Sequence, residues 1–411
     1  MSFVALGLAD ALAAALSDRG ITTPTPVQAG AIPPALAGRD VIASAQTGSG
    51  KTHAFALPLV QHLARTPRTR PRRTHVLVLV PTRELAAQVG QAFTDLAEAL
   101  VEPVKVAIVF GGVSINPQML ALRGGAEVVV ATPGRLLDLL DHNALDIARV
   151  ATLVLDEADR MLDEGFADEL QRVLALLPRR RQTLLFSATF PPAVEALARE
   201  RLHDPVRVEV SAGPATAPDI TQRALEVDTA RRTPLLRHLV AHEAWDRALV
   251  FVATRYASDH VADKLRQGGI AAAAWHGDRS QGARTQALRD FRAGKVKVLV
   301  ATDVAARGID IADLPVVVNY DLPRSADDYV HRIGRTGRAG ASGLAVSFVT
   351  AASEAHFRLI EKRQGQRVAR ERIAGFEPTE APPAATPPAD GGGVKGRRKS
   401  KKDKLREAAG R

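Results

Sequence analysis

Short runs of β-branched and aliphatic residues recur along the chain with almost no polar interruption. They read VIASA (41–45), HVLVLV (75–80), VKVAIVF (104–110), EVVVA (127–131), TLVLD (152–156) and QTLLFS (182–187), with helical patterns such as RELAAQVGQAFTDLAEAL (83–100) between them. A strand apolar on both sides must be covered on both faces, so strand–helix–strand repeats of this kind predict a parallel sheet wrapped by helices. SAGPATAPD (211–219) has no periodicity and reads as a linker. The alternation then resumes in ALVFVAT (248–254), IAAAAWH (270–276), KVLVAT (297–302), PVVVNY (315–320) and GLAVSFV (343–349). The expected fold class is α/β, with two doubly wound parallel-sheet domains, 1–210 and 220–376. The Pro/Ala/Gly-rich and then basic stretch 377–411 cannot bury enough apolar surface to offset chain entropy, so a disordered basic tail is expected there.

Composition narrows the function. The chain has no cysteine, which excludes disulfides and thiolate metal sites. Its net charge is +10; residues 395–411 hold nine Lys/Arg and two Asp/Glu, a net +7 that leaves +3 for the rest. A basic balance points to a polyanionic partner, nucleic acid or membrane surface. No apolar run reaches the length of a membrane span. The opening MSFVALGLADALAAALSDRG lacks a basic leader, and Asp10 interrupts its apolar stretch. It reads as an amphipathic helix with Leu8, Leu12 and Leu16 on one face. A cytoplasmic protein with no membrane partner is expected.

Two motifs carry chemistry. VIASA runs through Ala45, Gln46, Thr47, Gly48, Ser49, Gly50, Lys51 and Thr52 into the helical HAFALPLVQHL, the strand–loop–helix context of a phosphate loop. Glycines let backbone N–H groups approach phosphate, and the helix N-terminus adds partial positive charge. Lys51 would reach the β- and γ-phosphates and Thr52 a Mg²⁺ ion. Ala45 stands where the usual pattern begins with glycine. Downstream, an apolar strand ends in Asp156, Glu157, Ala158 and Asp159. Beside a phosphate loop such carboxylates await a metal: Asp156 to hold Mg²⁺, and Glu157 to position or deprotonate the attacking water.

With these residues the chain resembles the DEAD-box ATP-dependent RNA helicases of superfamily 2, built from two RecA-like domains. PTRELA (81–86), GG (111–112), TPGR (132–135), SAT (187–189), ATDVAARGID (301–310) and HRIGRTGR (331–338) stand in that family's order. FGGVSINPQM (110–119) and the opening MSFVALGL resemble the bacterial RhlE-like branch. GITTPTPVQ (20–28) resembles the Q motif, which implies that Gln28 reads adenine and that Phe3 stacks on it. The resemblance further implies that Arg335 and Arg338 reach the γ-phosphate from the second domain, where charge spreads over the transferring oxygens. Asp303 would touch the ATP ribose, with Gly308 and Asp310 shaping the same loop. Ser187 and Thr189 would link Asp159 to His331, and Gln281 and Arg284 would bridge the domains.

RNA is the partner the resemblance implies. Thr82, Arg83, Gly112, Thr132 and Arg135 of the first domain, and Arg255 and Thr302 of the second, would contact its backbone. Phosphate contacts carry no sequence information, so recognition should be sequence-tolerant. The expected activity is RNA-stimulated ATP hydrolysis coupled to domain closure and local opening of short duplexes, or to remodelling of ribonucleoproteins. The core is expected to be monomeric, with ribosomal or RNA-decay assemblies as partners and the tail as a loose electrostatic tether. A DNA-directed motor and a charge-driven RNA chaperone without catalysis stay open as alternatives.

Overall fold

A computed structural model describes residues 2–45, 48–163, 165–209, 220–306, 314–337 and 342–380. It contains two seven-stranded sheets, every pairing in them parallel. The first takes β1 (Val41–Ser44), β2 (Val76–Leu79), β3 (Val106–Val109), β4 (Val128–Ala131), β5 (Thr152–Asp156), β6 (Gln182–Ser187) and β7 (Val206–Glu209) in the order β3-β4-β2-β5-β6-β1-β7. The second takes β8 (Ile220–Glu226), β9 (Ala248–Val252), β10 (Ala272–Trp275), β11 (Val298–Thr302), β12 (Val316–Asn319), β13 (Gly343–Val349) and β14 (Arg370–Glu371) in the order β10-β11-β9-β12-β13-β8-β14. Two parallel sheets flanked by helices are two RecA-like domains, the architecture expected.

The apolar runs are buried on both faces for the reason given. Val76, Val78, Val128, Val130 and Val154 pack into one core of the first domain; their neighbours Leu77, Leu79, Val129, Ala131, Leu153 and Leu155 pack into the other. The second domain divides likewise, with Val250 and Val300 on one side of the sheet and Leu249, Phe251 and Leu299 on the other. The helix Lys51–Ala64 is fixed one turn past its first residue by Phe55, whose ring lies 6.1 Å from Phe93 and 5.2 Å from Phe186. Burial of one such ring contributes roughly 1.5–3 kcal/mol. It sets where the lysine at the start of that helix must stand. The expected amphipathic helix is Asp10–Ser17, with Leu8, Leu12 and Leu16 buried.

The strands at and beside one border of each sheet differ from the sequence reading. β7, β8 and β14 carry polar residues at exposed or half-buried positions and so lack the continuous apolar signature of the inner strands. Val210 and the expected linker 211–219 lie outside the described residues. So does most of the expected tail, but its first residues are ordered. Thr379 N and Oγ1 and Glu380 N donate to the Asp228 carboxylate at 2.8, 2.8 and 2.9 Å, and Glu380 accepts from Thr229 N and Oγ1 at 3.0 and 3.1 Å. Thr379 and Glu380 are thus tied to the second domain by Asp228, a buried acid just past β8.

Candidate active site and nucleic-acid edge

In parallel α/β sheets ligands gather at the carboxyl ends of the strands. Register brings Ser44 of β1 beside Ser187 of β6, and Asp156 of β5 beside Phe186. The loop after β1 and the acidic turn after β5 thus flank one edge. Gly50 caps the helix Lys51–Ala64 at φ 90°, a region open to glycine, and a Cβ there would fall 2.5 Å from Gln28 Nε2. Gln28 spans the Q motif and this loop: Oε1 accepts from Thr25 N at 2.9 Å, and Nε2 donates to the Gly50 carbonyl at 3.1 Å.

A cleft of about 690 Å³ opens at this edge. Gly48, Gly50, Lys51, Thr52, Asp156 and Glu157 of the first domain line it together with Gln281, Arg284 and Arg335 of the second. Lys51 Nζ and Asp156 Oδ1 are buried and find no hydrogen-bond partner among the described residues. Burial pushes the Asp156 carboxyl up to about 6 against the pull of Lys51, with the Glu157 charge adding to the rise. Ala45 is buried beside β6, its N–H on the Ser187 carbonyl at 3.1 Å. Ser49 lies in the described part of the loop; Gln46, Thr47, Gly308, Asp310 and Arg338 lie outside the described residues.

The raised carboxyl fixes a sign. Asp156 is neutral in folded and unfolded chains below about pH 4, and ionises while buried as pH passes about 6, so its contribution is lost on the alkaline side. A carboxyl moved from 3.8 to about 6 costs about 3 kcal/mol once charged. In nucleotide-free, chelator-treated protein, Asp156→Asn is expected to gain about that much stability over the wild type between pH 4 and pH 7. Denaturant unfolding across that range measures it; curves that stay parallel would reject the assignment.

Asp159 is held differently. Burial pushes its carboxyl up, but hydrogen bonds from Thr189 and Ser187 outweigh this and keep it below the usual range. Thr189 N and Oγ1 donate to Oδ2 at 2.9 and 2.7 Å, Asp159 N donates to Ser187 Oγ at 3.2 Å, and that hydroxyl donates to the Thr189 carbonyl at 2.8 Å. His331 shares a small cavity with Arg160, Asp303 and Arg335. Burial, and then the Arg160 charge, hold its imidazole below its ordinary value. It feels the Asp159 charge, while the hydrogen bonds of Ser187 and Thr189 among the described residues run to Asp159.

The expected bridge between domains has a partner the sequence reading missed. Arg284 Nη1 pairs with Glu84 Oε1 at 2.8 Å, with the side chains 5% and 10% exposed. Gln281 reaches the same oxygen at 3.4 Å, and Arg284 donates to Gln281 Oε1 at 2.5 Å. Trp275 backs the pair, its ring 5.6 Å from the guanidinium and its Nε1 donating to the Arg284 carbonyl at 3.1 Å. Glu84→Gln and Arg284→Gln are expected to be coupled by about 1–3 kcal/mol in a double-mutant cycle of domain closure. Fluorescence transfer between one label on each domain reads that closure; additive effects would mean the pair does not hold the domains.

Phe3 lies in the core of the first domain. It is 3% exposed, packed in the first core with Leu6, Leu8 and Leu12, and does not line the cleft. Gln28, too, spends its amide on Thr25 and Gly50 and braces the loop from behind. On the second domain, Asp303 is gripped bidentately by Arg332 at 2.6 Å on both oxygens.

The residues read as nucleic-acid contacts fall on an adjoining stretch of the same edges. Thr82, Gly112 and Thr132 follow β2, β3 and β4, which are neighbours in the order β3-β4-β2. Thr82 Oγ1 caps the helix Arg83–Ala97 by accepting from Leu85 N at 3.2 Å. Gly112 has φ 72°, and a Cβ there would collide with the Arg83 guanidinium. Thr132 Oγ1 accepts from Gly111 N at 3.3 Å, and Arg135 Nη2 donates to the Val113 carbonyl at 2.7 Å. In the second domain Arg255 follows β9 and Thr302 ends the adjacent β11; Arg255 pairs with the exposed Asp278 at 2.6 Å.

Known proteins place this arrangement. Residues 25–197 match the DEAD/DEAH box helicase family model, and residues 231–340 match the helicase conserved C-terminal domain. The chain belongs to the DEAD/DEAH box helicase family. It is 43% identical over 363 residues to the ATP-dependent RNA helicase DeaD of Mycobacterium tuberculosis, covering 88% of this chain and 63% of that protein. It is 45% identical over 351 residues to the ATP-dependent rRNA helicase rrp3 of Sclerotinia sclerotiorum, covering 85% of this chain and 72% of that one. Its fold is similar to S. cerevisiae Dbp5 bound to RNA and ADP BeF3, with a TM-score of 0.77 and 32% identity over 90% of this chain and 95% of that one.

Proposed function

We propose that the chain is an ATP-dependent RNA helicase, in which RNA-stimulated hydrolysis of ATP closes and reopens the two domains and opens short RNA duplexes locally or remodels ribonucleoproteins. The observation that carries this is the shared cleft: Lys51, Asp156 and Glu157 from one domain meet Arg335 from the other. The orphaned Lys51 Nζ suits an anionic phosphate, and the orphaned Asp156 Oδ1 suits a cation. Among the described residues no group of three or more His, Cys, Asp or Glu could form a metal cage. That fits Mg²⁺, which takes one or two protein oxygens and fills its shell with phosphate and water.

In this reading Gly48, Ser49, Gly50 and their sequence neighbours Gln46 and Thr47 cradle the phosphates, with Ala45 closing the strand behind them. Thr52 and Asp156 hold Mg²⁺, which when bound neutralises charge on the phosphate oxygens. Glu157 takes a proton from water as the water oxygen bonds to the γ-phosphorus and the β–γ bridging oxygen leaves with ADP. Lys51, Arg335 and Arg338 stabilise the spreading charge. Asp303 touches the ribose, and Gly308 and Asp310 shape the same loop. Asp159, Ser187, Thr189, Gln281, Arg284 and His331 couple closure to hydrolysis. The contiguous Thr82, Arg83, Gly112, Thr132 and Arg135, with Arg255 and Thr302 opposite, take the RNA backbone.

We further place the chain in the RhlE-like branch, on residues 110–119 and the opening segment. A cytoplasmic, monomeric core working in ribosomal or RNA-decay assemblies is the matching setting. The test is ATP hydrolysis with and without single-stranded RNA and matched DNA, beside unwinding of a short RNA duplex. Stimulation by RNA with ATP-dependent unwinding is expected. Equal stimulation by DNA would favour a DNA-directed motor, and strand annealing without any hydrolysis would favour a chaperone.

A further inference from the structure

The geometry points to Arg160 as a positioning residue for the attack of water, one that holds the Glu157 carboxylate and ties its orientation to the presence of the second domain. This rests on the hydrolytic reading above. Four described residues other than glycine have positive φ: Asn143, Glu157, Asp204 and Ala244. Three are exposed; Glu157, at φ 55°, is buried. A residue with a side chain keeps such a conformation in a core only where its surroundings enforce it. Here the left-handed turn takes the chain from the end of β5 directly into the helix Ala158–Asp163, whose Arg160 and Met161 amides donate to the Glu157 carbonyl at 3.0 and 3.1 Å.

That turn brings Arg160 back over Glu157. Its Nη1 donates to Glu157 Oε2 at 2.9 Å, with the two side chains 9% and 5% exposed. A charge-assisted bond in a buried site is directional, and rotating the carboxylate away would strand a buried guanidinium. Since Oε2 is engaged, Oε1 is the oxygen left to take the proton from water. Arg160 therefore selects which oxygen acts and where it stands.

The other side of Arg160 faces the second domain. It borders the small cavity that Phe251, Asp303, His331 and Arg335 complete. Asp303 is itself held through both carboxylate oxygens by Arg332. Arg160 is thus packed between Glu157 and residues that arrive only when the domains meet. When they part, the guanidinium gains water and its hold on Glu157 weakens. The base is then in register only in the closed state.

The experiment compares Arg160→Gln and Arg160→Lys in the full chain with Glu157→Gln and with the Arg160→Gln/Glu157→Gln double variant. Arg160→Gln is expected to lower kcat for RNA-stimulated hydrolysis by about 10–100-fold. The KM for ATP and the affinity for a fluorescent ATP analogue should stay within about twofold. Arg160→Lys, which keeps the charge without the fork, should recover part of the loss. In the Glu157→Gln background Arg160→Gln should add little, because both changes act on one carboxylate. A kcat within about twofold of wild type, a raised KM with kcat held, or losses that multiply in the double variant would each overturn the proposal. If Arg160→Gln does not fold, Arg160→Lys decides by the same measurements. Wild-type protein without RNA-stimulated hydrolysis overturns the functional reading and this one with it; active wild type with fully active Arg160 variants overturns this one alone.

Discussion

Glu157→Gln is expected to reduce RNA-stimulated ATP turnover by about 10²–10⁴-fold while the protein still binds ATP and RNA. The variant keeps the shape of the side chain and loses its proton affinity. An amide is the same size as the carboxylate, and its oxygen can still accept from Arg160 Nη1 at the 2.9 Å now occupied by Oε2. The left-handed backbone at residue 157 is unchanged in cost, and Lys51 and Asp156 keep their places in the cleft. What disappears is a group able to hold the proton of the attacking water. The effect should therefore fall on kcat and spare KM. Single-turnover hydrolysis, read beside anisotropy of labelled RNA with an ATP analogue, separates these quantities. Turnover near that of the wild type would remove Glu157 from its role.

Why Glu157 was readable in the sequence, and Arg160 and Glu84 were not, is a matter of distance. A phosphate loop is local: a strand, glycines free to take positive φ, a lysine and a helix all lie within one stretch from Val41 to Ala64. An acidic turn after an apolar strand is local too. The inner strands announce themselves because a parallel sheet leaves them no wet face. Ion pairs have no such signature. Glu84 and Arg284 are 200 positions apart, and only the docking of the two sheets makes them partners. Arg160 is close to Glu157 in sequence, yet the pairing depends on the left-handed backbone at 157, which no composition rule foretells. Phe3 is set by packing as well as by motif. By resemblance it belonged beside the base, but a short apolar segment with Leu6 and Leu8 buries it in the core. The half-polar strands β7 and β8 escaped notice because pairing to a buried neighbour, more than their own side chains, makes them strands.

Arg335→Ala is expected to cost about 10³-fold in RNA-stimulated kcat, the scale of an arginine supplied across a phosphoryl-transfer site. The backbone that presents this residue is fixed. Its N–H bonds to the Arg332 carbonyl at 3.1 Å at the end of the helix Ala326–Ile333, and its carbonyl accepts from Leu314 N at 3.2 Å. From that anchor the side chain, 6% exposed, borders both the main cleft with Lys51, Asp156 and Glu157 and the small cavity with Arg160 and His331. A cation so held needs little reorganisation when charge develops on the transferring oxygens, and so it acts in the transition state more than in the bound substrate. The KM for ATP should accordingly change by less than about tenfold. Arg335→Lys should restore only a small part, since an ammonium offers a point charge where a planar fork is needed. The same variant should leave RNA affinity in the absence of nucleotide close to that of the wild type, because the open domains do not bring residue 335 to the phosphates. Equal kcat in Arg335→Ala and wild type would mean that the second domain closes over the nucleotide without contributing to its hydrolysis, and the composite site would reduce to the first domain alone.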